Sequence, residues 1–308
     1  MNTTRPCGCK GYRTCLHCES SFNILLIEPE QFKIKEDAPT FVYCPFCNLC
    51  YPATDAEAYK QHPNHIGKPK RLEGFYIELD FLTDKEHNML LAGIDSMPWD
   101  PSQSGRRKQN FGPKCNFKGR KMKLGDFQGF PSFSKFVQDK FKRVPILKDF
   151  QTIEQCSLEY DPERGASIDP HVDDCWVWGE RIVTVNLLSD SVLIMTKNQN
   201  PKKYNLDLVS TYPKVVGNTI KTNLEKLNNV EECNNEDVIL VPMPNKSLLV
   251  MYGKARYVYE HRILRKDITS RRVCLAYREF TPIFLENGEC YKEGQIITEQ
   301  AKQFFSVN

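Results

Sequence analysis

The runs Arg181-Ile182-Val183-Thr184-Val185-Asn186-Leu187-Leu188 and Ser191-Val192-Leu193-Ile194-Met195 decide the fold. Both are short and rich in β-branched residues, the composition of strands. Working outward, the same signature recurs at Gln155 to Tyr160, Ser247 to Met251 and Arg272 to Tyr277. A succession of short strands predicts an antiparallel β-sandwich or jelly roll. The fold expected is mainly β with flanking helices: a sandwich or jelly-roll core plus a small Cys-rich N-terminal region.

The flanks read differently. Phe75 to Leu79 predicts a strand, and Thr83-Asp84-Lys85-Glu86 opens an apolar-periodic helix to about Asp95. Residues 100–131 mix Gly, Lys and Arg with aromatics and predict an exposed lid or arm without long regular structure. Ser132 to Lys142 predicts an amphipathic helix, and 196–236, Asn/Lys-rich with weak periodicity, a long surface insertion. One helix is expected in the tail near Thr298 to Phe305. The composition shift at His65-Ile66-Gly67-Lys68-Pro69-Lys70 divides the chain into a Cys-rich region 1–70, a main domain 71–286 and a tail 287–308.

A chain of 308 residues can bury a sizeable core, and its formal charge of +3 is too small for global electrostatics to point to nucleic acid. Seven of the 13 cysteines fall before residue 51 in close groups, a metal-binding distribution more than a secreted disulfide framework. No apolar run suits a signal peptide or a membrane span, so a protein soluble in the cytoplasm and nucleus, with no membrane partner, is expected.

Within the β region lie His171-Val172-Asp173 and, far downstream, His261. Residues two apart on an extended backbone share a face, so His171 and Asp173 can reach one ion from a strand edge. Two imidazoles and one carboxylate form a facial set for ferrous iron that leaves the opposite positions open. Arg272 and Arg278, an even number apart, share a face opposite Val273, Leu275 and Tyr277. If that face is interior, a dicarboxylate is the natural counterion. The plainer readings are a surface histidine beside Asp173 and Asp174, a loop histidine between Glu260 and Arg262, and an edge strand with solvated arginines.

Three segments, Glu159-Tyr160-Asp161-Pro162-Glu163-Arg164-Gly165, Asp169-Pro170-His171-Val172-Asp173 and Arg181 to Ser191, together with the block from His261 to Arg278, resemble the AlkB-type iron and 2-oxoglutarate dioxygenases. The resemblance covers roughly residues 71 to 286. Three further blocks are similar to the fourth-homologue subfamily: Cys7-Gly8-Cys9-Lys10-Gly11 with Cys15 and Cys18, Ser102 to Gln109, and Trp176-Val177-Trp178-Gly179-Glu180-Arg181. The resemblance implies iron ligands His171, Asp173 and His261. It also implies 2-oxoglutarate contacts from Tyr160, from Arg272 at the distal carboxylate, and from Arg278 nearer the metal. Fe(II), 2-oxoglutarate and dioxygen are the implied reactants. The implied reaction is removal of N-methyl groups, from protein methyl-lysine such as that of actin or from 6-methyladenine in nucleic acid. The chain departs from the founding repair enzymes at Cys175, where they place a carboxylate that reads the flipped base, and Asp174 should face the other way.

Cys7, Cys9, Cys15 and Cys18 offer four thiolates in a turn-rich stretch, suited to structural zinc. Cys44, Cys47 and Cys50 with His62 and His65 form a second candidate group, Cys44, Cys47, His62 and His65 being near zinc-finger spacing, although Pro63 hinders a helix. In the arm, Arg106, Arg107 and Lys108, with Lys114, Lys118, Arg120, Lys121 and Lys123, alternate with Phe111, Phe117 and Phe127. That pattern suits a phosphate backbone, an acidic protein surface, or a lid packed on the barrel. Two other readings stay open: a zinc-stabilised adaptor or nucleic-acid-binding module without catalysis, and a zinc hydrolase using the same His, Asp and His.

Overall fold

The computed structural model describes residues 5–200, 202–216 and 230–307. Its β-branched runs build two main sheets. The seven-stranded sheet runs Phe75–Glu78, Leu248–Met251, Trp178–Leu187, Arg272–Phe280, Glu154–Tyr160, Arg107–Phe111 and Asp100–Pro101, all paired antiparallel. The six-stranded sheet runs Ile168–His171, Tyr259–Ile263, Ser191–Lys197, Val238–Met243, Thr40–Cys44 and Leu49–Pro52.

Period-two alternation sorts the side chains between layers. Ile182, Leu249, Met251 and Cys274 of the larger sheet share a buried cluster with Leu193, Met195, Ile239 and Val241 of the smaller. Their neighbours Val183, Val185, Leu248, Val250, Val273 and Leu275 face the other way. There they bury Leu90 and Ile94 of the helix Asp84–Asp95 and Val137 and Phe141 of the helix Lys135–Phe141. Each such aliphatic contributes about 1.5–3 kcal/mol by leaving water, which fixes strand register because a one-residue slip would exchange the two faces. The helix Asp84–Asp95 starts where expected because Thr83 accepts from the Glu86 amide while the Glu86 carboxylate accepts from the Thr83 amide.

Several segments differ from expectation. Arg107–Phe111, in the segment read as an exposed arm, is a sheet strand paired with Glu154–Tyr160, and Gln109 is buried with its amide donating to the Ile94 and Met97 carbonyls. The strand Thr40–Cys44, from the Cys-rich region, pairs in parallel with Val238–Met243 and extends the six-stranded sheet. Val238–Met243 is buried at every position, so it lacks the alternation that marks a strand in sequence. The tail helix is Tyr291–Gln300, earlier than expected, because Gly294 packs against the Phe284 backbone. Phe304–Phe305 then pairs as a short strand with Phe130–Pro131. Of the insertion 196–236, the described part includes the turn of helix Leu206–Thr211, while residues 201 and 217–229 lie outside the described residues. No helix among the described residues is long and apolar enough to cross a membrane.

Candidate metal centre and its surroundings

Ile168–His171 is an edge strand of the six-stranded sheet, and its register sets His171 opposite His261 with ring centroids 4.2 Å apart. Asp173 follows at the head of a turn that Asp174 closes by accepting from the Trp176 and Val177 amides at 2.9 and 3.3 Å. One donor atom from each of His171, Asp173 and His261 lies within 4.8 Å of the others. Asp173 Oδ2 is buried without a hydrogen-bond partner among the described residues and has His261 Nε2 3.8 Å away, a costly arrangement for protein alone and a natural one for groups that face a cation. The set of two imidazoles and one carboxylate therefore fits a first-row divalent metal.

Electrostatics support the same use. His171 Nδ1 lies 2.8 Å from the Asp169 carbonyl, so that nitrogen carries the proton and Nε2 keeps its lone pair. Burial pushes both imidazoles below the ordinary histidine pKa, so neither proton competes strongly for the lone pair at neutral pH. Burial alone would raise the Asp173 carboxyl, but the Arg278 guanidinium and the two histidines outweigh it and hold the group well below the usual carboxylate range.

Arg272 and Arg278 both point between the sheets, yet they are used differently. Arg272 is 1 % exposed; among the described residues its Nε donates to Asn186 Oδ1 at 2.7 Å, its Nη2 has only the Met243 sulfur at 3.8 Å, and its Nη1 has no partner. A buried guanidinium without a carboxylate is costly unless an anion arrives. Tyr160, paired with Arg272 in register and buried, lies beneath it with the guanidinium carbon 4.9 Å from the ring centroid. Arg278 is already engaged: Nε donates to Asp173 Oδ1 at 2.9 Å, Nη2 lies 2.8 Å from the same oxygen, and Nη1 donates to Glu154 at 2.5 Å. Arg278, grouped in the sequence reading with the co-substrate residues, thus has its nitrogens on the carboxylates of Asp173 and Glu154 in this structure.

Some neighbours gave no sequence signal as site residues. Asn186 holds Arg272 while its amide donates to the carbonyls of Ser189, Met243 and Pro244 at 2.8, 2.7 and 3.2 Å; an amide in an otherwise apolar run was the available clue. Arg256, 1 % exposed, donates to the carbonyls of Asp173 at 2.8 Å and Trp178 at 3.1 Å and so ties down the turn after His171. Only the fold brings it there. Cys175 is fully buried, and Asp174 Oδ2 accepts from Asn205 at 2.7 Å, so neither offers a free carboxylate to a substrate base.

The cysteine groups also converge. Donor atoms of Cys7, Cys9, Cys15 and Cys18 lie within 4.8 Å of one another, with Cys7 and Cys18 sulfurs 3.1 Å apart. Gly8, at φ +86°, lets this loop approach the Pro101 and Ser102 backbone, where a Cβ would meet atoms at 3.1 Å. Cys44, Cys47, His62 and His65 form another such group, and His65 Nε2 is buried without a partner among the described residues. The hydrogen bond between Cys44 and Cys47 holds the proton on Cys44 and lowers the Cys47 thiol to about 5, so one of the two sulfurs is already the thiolate that a metal takes. Cys50, read with this group, is instead buried in the core cluster with Cys233, because the strand Leu49–Pro52 turns it inward.

The basic arm is less free than its sequence suggests. Arg107 makes a two-pronged pair with Glu159 at 2.5 and 2.8 Å, Lys114 meets Asp126 at 2.5 Å, and Arg120 reaches Asn205 at 2.9 Å. Arg106 approaches Tyr160, its guanidinium carbon 5.9 Å from the ring centroid, while Lys108 is half-buried on the strand beside it. Phe127 is buried and Phe111 packs toward Phe305 at 6.1 Å, leaving Phe117 as the exposed phenylalanine of the three.

No protein-family profile matches the chain. Individual proteins do. "Alpha-ketoglutarate-dependent dioxygenase alkB homolog 4" of Mus musculus is 38% identical over 304 residues, covering 99% of this chain and 96% of that protein. The Homo sapiens protein of the same description is 37% identical, with 97% and 94% covered. The "DNA N6-methyl adenine demethylase" of Caenorhabditis elegans is 28% identical over 306 residues, with 94% and 91% covered.

Proposed function

Because the chain belongs to the AlkB family of 2-oxoglutarate-dependent dioxygenases, in its alkB homolog 4 branch, we propose that it is an oxidative N-demethylase with Fe(II) held by His171, Asp173 and His261. The two facing sheets are read as the double-stranded β-helix of that family. The observation that carries the proposal is a buried Arg272 with no carboxylate partner among the described residues, in the same inter-sheet space as a three-residue metal set whose Asp173 Oδ2 is orphaned.

When bound, iron and 2-oxoglutarate supply oxidation by dioxygen, which yields succinate, carbon dioxide, formaldehyde and the demethylated nitrogen. The chain's own residues do the rest. Arg272, held by Asn186 over the Tyr160 ring, receives the distal carboxylate of 2-oxoglutarate through its open Nη1. Arg278, itself held by Glu154, keeps one Asp173 oxygen engaged, which would leave the other for the metal. Asp169 holds the His171 ring in one tautomer.

A methylated protein amine is the preferred substrate class, methyl-lysine of the kind expected for actin, because Cys175 and Asp174 lack the free carboxylate that would read a flipped base. The second reading is 6-methyladenine in DNA, favoured by the similarity to the Caenorhabditis elegans DNA N6-methyl adenine demethylase. Zinc is proposed at Cys7, Cys9, Cys15 and Cys18 and at Cys44, Cys47, His62 and His65, both sets having the donors of structural sites. The test incubates the protein with Fe(II), ascorbate and labelled 2-oxoglutarate against methyl-lysine peptides and 6-methyladenine oligonucleotides. Succinate and formaldehyde should form together, and His171→Ala or Asp173→Ala should abolish both while zinc content is kept. Equal succinate from His171→Ala would remove the assignment.

A further inference from the structure

The strand that carries His171 is poorly supported by its own sheet. Ile168–His171 is an edge strand with one neighbour, and its pairing with Tyr259–Ile263 slips in register between Ile168 and His171. An edge strand with a broken ladder has few main-chain bonds to fix a ligand's direction. Something else must hold it.

The N-terminal segment is placed to do so. After Gly11, at φ +57°, the chain turns so that Tyr12 Oη and Arg13 Nε both donate to Asp169 Oδ2, at 2.9 and 2.6 Å. The main-chain carbonyl of that same Asp169 faces His171 Nδ1 at 2.8 Å. Fixing the side chain and the carbonyl of one residue together leaves the His171 ring little freedom to rotate. A second grip lies a few residues on: Glu19 accepts from Arg265 at 2.9 and 2.8 Å and from Thr14 at 2.7 Å. Arg265 follows the strand bearing His261, so residues 12–19 clasp both histidine-bearing strands. The buried sulfurs of Cys9, Cys15 and Cys18 anchor the segment from within.

We propose that Tyr12 and Arg13 are positioning residues for the metal centre, acting on His171 through Asp169, with the cysteine loop as the brace that holds them in place. This rests on the reading of His171, Asp173 and His261 as metal ligands. It joins the Cys-rich region to the chemistry of the domain: a strap across the sheet edge on which the first ligand sits. Partners that orient a ligating histidine are worth about 10- to 100-fold in metal affinity. Arg13 acts one bond network further out, so the low end, about tenfold, is expected.

The test uses the full chain with Mn(II) as a redox-silent probe, read by the loss of its free electron-spin resonance signal. Arg13→Ala should weaken Mn(II) binding about tenfold, the low end of the range for such partners. Arg13→Lys should restore most of the loss. Zinc content and the affinity for 2-oxoglutarate at saturating Mn(II) should stay as in the wild type, because Arg272 and Asn186 lie on the other sheet. Asp169→Asn should lose at least as much, since it weakens the contacts of both Arg13 and Tyr12, and adding Arg13→Ala to it should lower the affinity no further. Should Arg13→Ala fail to fold, Tyr12→Phe removes a single hydrogen bond and should still weaken Mn(II) binding measurably at an unchanged melting temperature. Wild-type Mn(II) affinity in folded Arg13→Ala, or losses that simply add in the double variant, would overturn the strap. Wild-type binding that ignores His171→Ala would instead bring down the metal-ligand reading, and the strap with it.

Discussion

Replacing Arg272 by Met probes the buried charge directly. In the ligand-free protein two effects oppose each other: Asn186 Oδ1 loses its donor, at about 1–3 kcal/mol, while a guanidinium that otherwise sits desolvated without an anion is removed. Little net change in ligand-free stability is expected. With 2-oxoglutarate the balance is one-sided. A charge-assisted hydrogen bond is worth roughly 1.5–3 kcal/mol, so losing it should weaken 2-oxoglutarate about 10- to 100-fold. At a concentration 100 times the wild-type Kd, the ligand should stabilise the wild type by about 2.7 kcal/mol. The same concentration would leave a variant weakened about 100-fold with only about 0.4 kcal/mol. Denaturant melts with Mn(II) present, with and without 2-oxoglutarate, read this difference. An undiminished ligand-induced gain in Arg272→Met would refute the anion site. A loss of more than about 4 kcal/mol without ligand would show that the arginine serves mainly as a tie to Asn186.

Other outcomes follow from the same geometry. Since burial holds the pKa of His171 and His261 below the ordinary value of 6.5, the folded protein binds fewer protons there than the unfolded chain as pH falls through 6.5, so stability declines in that window. Mn(II) affinity, by contrast, should stay level from neutral pH past 6.5 and fall only below the lowered histidine values; a midpoint at or above 6.5 would contradict the burial argument. Cys18→Ser should lower the zinc retained on purification by one equivalent without touching the second group, as measured by elemental analysis; unchanged zinc would remove the first site. Glu159→Gln should destabilise the fold by about 2 kcal/mol, a buried-pair loss reduced for partly exposed arginines. Its carboxyl is 1 % exposed, and although burial alone would raise it, pairing with Arg107, Arg271 and Arg164 holds it at about 2. The stability it contributes should therefore be full above the unfolded value near 4.5 and be lost as pH falls toward 2, and a urea midpoint unchanged at pH 7 would argue against that hub.

Much of this was legible along the chain. The strands, the capped helix at Asp84–Asp95 and the His171, Asp173, His261 set follow from local periodicity, capping chemistry and donor type, which neighbouring residues carry in themselves. Val238–Met243 was not legible, because burial on both faces erases alternation, and neither was the strand inside the basic arm, whose lysines and arginines hide the inward-facing Gln109. Which arginine stays free was beyond the sequence too. Arg272 and Arg278 have the same chemistry and share a face, and only the packing of Glu154 and Asp173 around one and Asn186 beside the other separates them. The amino-acid order by itself set the candidate ligands and their spacing, since these are properties of residue type and backbone repeat. Tyr12 and Arg13 lie 157 and 156 positions from Asp169, Arg278 lies 105 from Asp173 and Asn186 lies 86 from Arg272, and such contacts exist only once the sheets have closed.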